Sequence, residues 1–151
     1  MADAIILQVI KAVIVDLNTN RPDDVPEVTS RRVFPNDKVT DIRMAVFLGD
    51  EDVDPPRGQS NRDRLTRRRT SFAVQCVAPT DLIEEIDEIV QPMLNWSSSV
   101  LGHNRLGGLV HYLRETGTTR RVTYQDMAVI TATQIFECSY QTLRNDLTAR
   151  L

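Results

Sequence analysis

The alternation of apolar and polar residues predicts two helices and several strands along this chain. Near the start, apolar residues recur at spacings of three and four, the period of a helix with one buried face; they are Ile6, Val9, Ile10, Val13 and Leu17. Asn18, Asn20 and Pro22 end this helix. The turn-forming residues over 19–29 predict a loop, and residues 31–34 predict a short strand.

A long polar segment separates two of the predicted strands. Residues 42–48 alternate with the two-residue period of a strand that buries one face. Residues 49–69 offer almost nothing to bury, and a connection of that length is usually functional or disordered. A strand resumes over 71–77. The pattern therefore predicts a hairpin with a long charged arm over residues 49–69.

The second half of the chain predicts one more helix and two more strands. Asp81, with Glu84 three residues later, fits a capping box at the start of an acidic amphipathic helix. The elements that follow are a glycine turn over 106–109, a strand over 110–114, a turn over 116–118, a long alternating strand over 127–141 and a flexible tail over 143–151.

This order of elements predicts the α+β class. We expect a mostly antiparallel sheet of about four to five strands, with two main helices packed on one face. A chain of 151 residues suits a single domain over residues 1–151.

Composition and charge narrow the functional classes. The formal net charge of −3 argues against a protein whose whole surface binds nucleic acid. No apolar run reaches the roughly 18 residues of a membrane span, and the start lacks the basic region of a secretion signal. We therefore expect a protein of the cytoplasm that makes no membrane contact. Cys76 and Cys138 lie in apolar segments and predict two buried free thiols.

The sequence predicts no catalytic, metal or cofactor site. No serine stands in a nucleophile-elbow pattern, and His103 and His111 each lack a second ligand at metal spacing. Asp50, Asp52 and Asp54 match the start of a calcium-binding loop, but two prolines follow where that loop needs a glycine turn. A solvated acidic turn is the favoured interpretation.

The charged arm carries the sharpest local bias in the chain. Its basic limb contains six arginines, and its acidic limb contains four carboxylates. A solvated arm, phosphate binding and protein contact all remain open. Opposite charges on two limbs favour head-to-tail contact between identical copies. Such contacts form a ring when the rotation from each copy to the next returns to the first copy after a full turn. The residues predicted at this interface are Asp50, Glu51, Asp52, Asp54, Arg64, Arg67, Arg68 and Arg69.

The stretch from Arg69 to Thr142 resembles the tail terminator, or tail completion, proteins of tailed bacteriophages. It is similar to the minor tail protein U family of phage lambda. The elements that carry the resemblance are the strand over 70–77, the helix start over 78–81, the Leu-Gly-Gly-Leu-Val element over 106–110 and the long strand that ends near Thr142.

The resemblance implies a structural virion protein that is not an enzyme and needs no cofactor. Members of this family form a homo-oligomeric ring, usually a hexamer, on the last ring of the tail tube at its head-proximal end. The ring stops tube growth and provides the head-joining surface. The implied partners are the tail tube protein, the head-tail connector protein, and DNA that passes through the lumen without specific binding. The expected location is the virion tail, assembled in the host bacterial cytoplasm.

Other functional classes remain as alternatives. The chain could be another phage head-tail connector, a head-completion protein or the tail tube protein. From a different class, it could be a nucleic-acid-binding module that uses the arginine-rich arm. An enzyme is the least favoured class because no reacting group has a partner.

Overall fold

Two helices, five strands and one short 3-10 turn make up the computed structural model over the residues that it describes, which are 4–34, 37–53, 65–80, 86–124 and 126–143. The helices are α1 (Ile5–Asn18) and α2 (Ile86–Leu101). The strands are β1 (Val28–Thr29), β2 (Arg43–Val53), β3 (Leu65–Thr80), β4 (Tyr112–Tyr124) and β5 (Ala128–Leu143). The predicted α+β class is confirmed.

The five strands form one sheet in the order β1-β2-β3-β5-β4. Neighbouring strands are antiparallel, except that β1 runs parallel to β2 over two residue pairs. β3 and β5 pair along their whole length, from Leu65 opposite Leu143 to Thr80 opposite Ala128. This central ladder satisfies the backbone groups that the two strands direct towards each other.

Both helices pack on one face of the sheet, as predicted. The helical period of α1 buries Ile5, Val9 and Val13 against this face. Phe72 of β3 and Phe136 of β5 lie beneath the helices with no exposed surface, and their rings stack at a centroid distance of 5.4 Å. Within the described ranges, no helix combines the length and apolarity that a membrane crossing needs.

The opposite face of the sheet, here called the helix-free face, is partly covered by a segment without regular structure. This segment, the strap, comprises residues 30–34 and 37–42. Val33 and Val39 of the strap pack against Val77 and Val129 of the sheet. The buried side chain of Gln75 accepts a hydrogen bond from the backbone N–H of Val33 at 2.9 Å and donates one to its carbonyl at 3.0 Å. The strap is therefore held by paired polar groups as well as by apolar contact.

Several predicted boundaries are wrong. Residues 49–53 and 65–69 continue β2 and β3, where the polar pattern predicts an arm, because backbone pairing with long neighbouring strands extends beyond the apolar positions. Residues 54–64 of that arm lie outside the described residues. The short strand predicted over 31–34 is part of the strap, and β1 instead forms within the predicted loop.

The later elements also differ from their predicted limits. The turn predicted over 116–118 is a bulge between Glu115 and Gly117, so β4 continues through it to Tyr124. β5 reaches Leu143, the first residue of the predicted tail, and the remaining tail residues lie outside the described part of the chain. The predicted capping residues of α2 also lie outside it. The glycine turn is confirmed as a 3-10 turn, with positive φ at Gly107 and Gly108.

Candidate assembly surface

The sheet ends in two open edges that differ from each other. β4 lies at one edge, and twelve of its thirteen residues pair with β5, while the described residues place no strand on its other side. At the opposite edge, β1 pairs only with Met44 and Ala45 of β2. From Val46 to Val53, the strand partner of β2 among the described residues is therefore β3 alone. Open edges of this kind can pair with another chain.

The acidic and basic groups predicted at an interface lie in adjacent strands of one sheet. β2 contains Asp50, Glu51 and Asp52, and β3 contains Arg67, Arg68 and Arg69. The register places Asp52 directly opposite Arg69. Asp54 and Arg64 lie outside the described residues. The two limbs are therefore neighbours within one copy, at least as far as these strands extend.

The three consecutive arginines do not form one patch, because side chains of a strand alternate between its two faces. Arg68 lies on the helix side, where its Nε donates to Thr142 Oγ1 at 3.2 Å. Arg67 and Arg69 lie on the helix-free face, where Arg67 Nε donates to Ser139 Oγ at 3.2 Å. Two of these three arginines thus share a surface.

A group of residues that the sequence did not predict lies beside Arg69 on the helix-free face. Glu137 Oε1 accepts hydrogen bonds from Tyr112 Oη at 2.8 Å and from Arg114 Nη2 at 2.9 Å. The hydrogen bond from Tyr112 is the main cause that lowers the pKa of Glu137, and the charges of Arg114 and Arg69 lower it further. Burial, together with the bond to Glu137, raises the pKa of Tyr112.

Sequence reasoning missed this group because its members come from three strands. The available signal was the position of Glu137 on the more polar side of the last strand, which does not identify a partner. Only the pairing of β4 with β5 brings Arg114 opposite Glu137.

β4 carries positive charge on both faces of the sheet. Arg120 lies on the helix side, where its Nη2 donates to Gln91 Oε1 of α2 at 3.3 Å. Arg121 is exposed on the helix-free face, beside a groove lined by threonines of β4 and β5.

A polar cleft of about 430 Å³ lies between α2 and β4 on the helix side. Gln134 at its floor is 2% exposed, and its Nε2 donates to Ser98 Oγ at 2.9 Å and to the Leu94 carbonyl at 3.3 Å. Its Oε1 accepts a hydrogen bond from Ser97. Glu115 at the rim accepts one from Ser98 at 3.1 Å. The buried amide is satisfied within the chain, so its bonds hold β5 to α2, and the bond from Ser98 to Glu115 holds β4 to α2.

The remaining histidine, cysteine and carboxylate side chains were compared with the needs of a metal site or a reactive thiol. The described residues contain no group of three histidine, cysteine or carboxylate side chains that could hold a metal ion. His103 and His111 are exposed. Cys76 and Cys138 are buried free thiols, as predicted, and burial raises the pKa of each to about 12.

Comparison with known proteins gives a likeness of shape only. No family model and no curated protein matches this chain. One similar solved structure, of a protein whose name states no activity, is 16% identical, with 89% of this chain and 93% of that chain covered and a TM-score of 0.47. A likeness at this level says nothing about function.

Proposed function

We propose that this chain is the structural subunit of a ring that caps the head-proximal end of a phage tail. The observation that carries the proposal is the pair of unlike open edges, β4 on one side of the sheet and the outer part of β2 on the other. Two unlike surfaces on one subunit allow head-to-tail contacts, which close into a ring when the rotation allows. The resemblance to tail terminators supplies the connection to the phage tail.

The strand directions suit such a joint. β2, β3, β5 and β4 are each antiparallel to the next, so β4 runs opposite to β2. A rotation about an axis along the strands leaves the strand directions unchanged from one copy to the next. In the proposed ring, β4 of one copy therefore lies antiparallel to β2 of the next, which continues the alternation of the sheet and forms the more stable type of ladder.

The two edges also differ in charge. The outer part of β2 holds three acidic residues, and β4 holds three arginines and one glutamate; they are Asp50, Glu51, Asp52, Arg114, Glu115, Arg120 and Arg121. Opposite charges on facing strands stabilise a pair by roughly 0.2–1 kcal/mol, whereas like charges destabilise it. This difference favours the joint between β4 and β2 over a joint between two β4 strands.

Such a ring caps the tube by occupying the site at which the next tube ring would bind. One face of the ring matches the end of the tail tube and the other does not, so the bound ring fills the site of the next tube ring. The free face then receives the head-tail connector, and DNA passes through the lumen. This activity requires no reacting group. Assembly takes place in the bacterial cytoplasm, and the ring stays in the virion.

Native mass spectrometry combined with hydrogen exchange tests the ring and its joint. We expect one closed stoichiometry, six subunits by the resemblance, and slower exchange of β4 amides in the ring than in dilute subunits. β5 is the internal control over residues 128–139, because both of its sides are paired within the chain there. A chain that stays monomeric in virions contradicts the proposal, and a ring with unprotected β4 amides contradicts the joint.

Electron microscopy of defective phage separates a terminator from its neighbours in the virion. Loss of this protein is expected to give over-long tails, because tube growth is no longer blocked. Tails of normal length that remain unattached to heads would instead identify a connector or head-completion protein.

A further inference from the structure

Each open edge of the sheet exposes an apolar side chain on the helix side. Leu48 of β2 is 42% exposed, and Val122 of β4 is 41% exposed. Leu48 lies opposite the buried Phe72, and Val122 lies opposite the buried Ile130, so both side chains are on the face that carries the helices. Two such side chains on unlike edges can cover each other when copies meet head-to-tail.

The backbone pattern of the sheet restricts how β4 can pair with β2 of the next copy. Residues that are linked across the sheet by successive pairs lie at one level. Along an antiparallel ladder, residues that exchange hydrogen bonds with a neighbouring strand alternate with residues that point away from it. Across the four antiparallel strands, residues of β2 and β4 at one level therefore point outwards together. A joint between these edges forms only with no shift along the strands or with a shift by an even number of residues.

β1 excludes the joint that has no shift. It covers the outer side of β2 at Met44 and Ala45, and Met44 lies at the level of Arg120 in β4. Without a shift, this part of β4 would occupy the place of β1 in the next copy. The joint therefore has to be shifted along the strands until the end of β4 lies past β1.

A shift of six residues is the smallest even shift that meets this requirement. Tyr124, the last residue of β4, lies at the level of Ala128 in β5. Val46, the first residue of β2 beyond β1, lies at the level of Gln134, which is six residues further along β5. In the shifted joint, residues 118–124 of one copy pair with residues 46–53 of the next, so the whole free length of β2 is used.

Two observations that did not define the shift agree with it. Val122 lies at the level of Ile130 and Leu48 at that of Phe136, again six residues apart, so the shifted joint places Val122 directly opposite Leu48 of the next copy. Strands of closed sheets also tilt by about 35–45° against the axis. Six residues of about 3.3 Å, across four strand spacings of about 4.8 Å, give a tilt of about 46°.

We propose that each copy of the ring pairs β4 with β2 of the next copy in this shifted register, so that Val122 packs on Leu48. The inference rests on the proposed ring and identifies the residues that meet at its joint. The occupant of each open edge is thus a second copy of this chain.

Disulfide cross-linking tests the register. With Leu48→Cys and Val122→Cys in one chain, thiols of neighbouring copies lie opposite each other, within the Cα separation of about 4.4–6.8 Å that a disulfide needs. Within one copy, the two positions are three strands and six residues apart, roughly 25 Å, so only different copies can be linked. Cys76 and Cys138 are buried and do not compete. We expect mild oxidation to convert most of the chain into linked oligomers on a non-reducing gel.

Leu48→Cys combined with Glu115→Cys is the matched control. Glu115 is exposed on the same face and lies at the level of Leu48, so this pair links only in a joint without a shift. Linked oligomers from the Val122 pair and none from the Glu115 pair support the proposal. The reverse result, or equal linking by the two pairs, overturns it.

Native mass spectrometry and hydrogen exchange separate the register from the ring. A closed ring without links from the Val122 pair overturns the register and leaves the ring, whereas a chain that stays monomeric overturns both. Hydrogen exchange of the unsubstituted ring gives a second measurement. Stronger protection of the outward amides over residues 118–124 than over 112–115 supports the register, and the opposite order overturns it.

Discussion

Replacing Gln75 with leucine isolates the polar attachment of the strap, because leucine has nearly the same size but no hydrogen-bonding group. Gln75 is 5% exposed, and its amide makes two hydrogen bonds to the backbone of Val33, which is 8% exposed. A hydrogen bond of this kind contributes about 0.5–1.5 kcal/mol net, so losing both costs about 1–3 kcal/mol.

The loss of stability caused by Gln75→Leu does not rise far above this range, because the strap can leave the sheet. Burying the N–H and carbonyl of Val33 without partners would cost about 1–3 kcal/mol for each group. Undocking returns both groups to water, and it gives up the contacts of Val33 and Val39 with Val77 and Val129 and the contact of Arg32 with the Phe47 ring. We therefore expect Gln75→Leu to lower the free energy of unfolding by about 2 kcal/mol and to release the strap locally.

Urea unfolding and limited trypsin digestion together test this expectation. The side chains of Arg31, Arg32 and Lys38 are already exposed, and release of the strap is expected to free the backbone around them for cleavage by trypsin. β3 and β5 are expected to stay protected because their ladder is unchanged. Gln91→Leu is the control, since Gln91 is exposed on α2 and its loss is expected to change stability by less than about 0.5 kcal/mol. The account is refuted if Gln75→Leu leaves both stability and cleavage at the strap unchanged.

Four further predictions follow from buried or bonded groups. Phe136→Ala is expected to lower the free energy of unfolding by about 3–5 kcal/mol in urea titrations, because the ring has no exposed surface and stacks on a second buried ring. Tyr112→Phe removes the bond that chiefly lowers the pKa of Glu137, so an NMR titration should show that pKa moving up towards its ordinary value. The lowered pKa of Glu137 contributes stability above the ordinary pKa of a glutamate. That contribution is lost as the pH falls through the lowered value, so Glu137→Gln should flatten the acid side of the stability profile. Cys76 and Cys138, buried with a pKa of about 12, should react with a thiol reagent at neutral pH only after denaturation.

The free edge of β4 allows two interpretations. In the proposed ring, the outer backbone of β4 pairs with β2 of the next copy. The bulge between Glu115 and Gly117 and the arginines of β4 are features that also protect a free edge from unwanted pairing. Hydrogen exchange distinguishes a joint from an edge that stays unpaired. The amides of an unpaired edge would exchange equally fast at every protein concentration, whereas those of a joint would exchange more slowly as copies associate.

Local periodicity carried much of the information about the secondary structure. The spacing of apolar residues placed α1, and strict alternation placed β5 to within two residues of its observed limits. Such patterns report which side chains are buried, and in these elements burial covers the whole length. The α+β class followed from the order of the elements.

Tertiary pairing alone decided the features on which the proposals rest. Residues 49–53 and 65–69 are polar, and they join β2 and β3 through backbone hydrogen bonds that leave no apolar signature. The same pairing puts β4 at an edge, separates Arg120 from Arg121 and brings Arg114 to Glu137. Hydrophobic period is a property of neighbouring residues, whereas strand order depends on contacts between distant ones, so the first could be read from the sequence and the second required the fold.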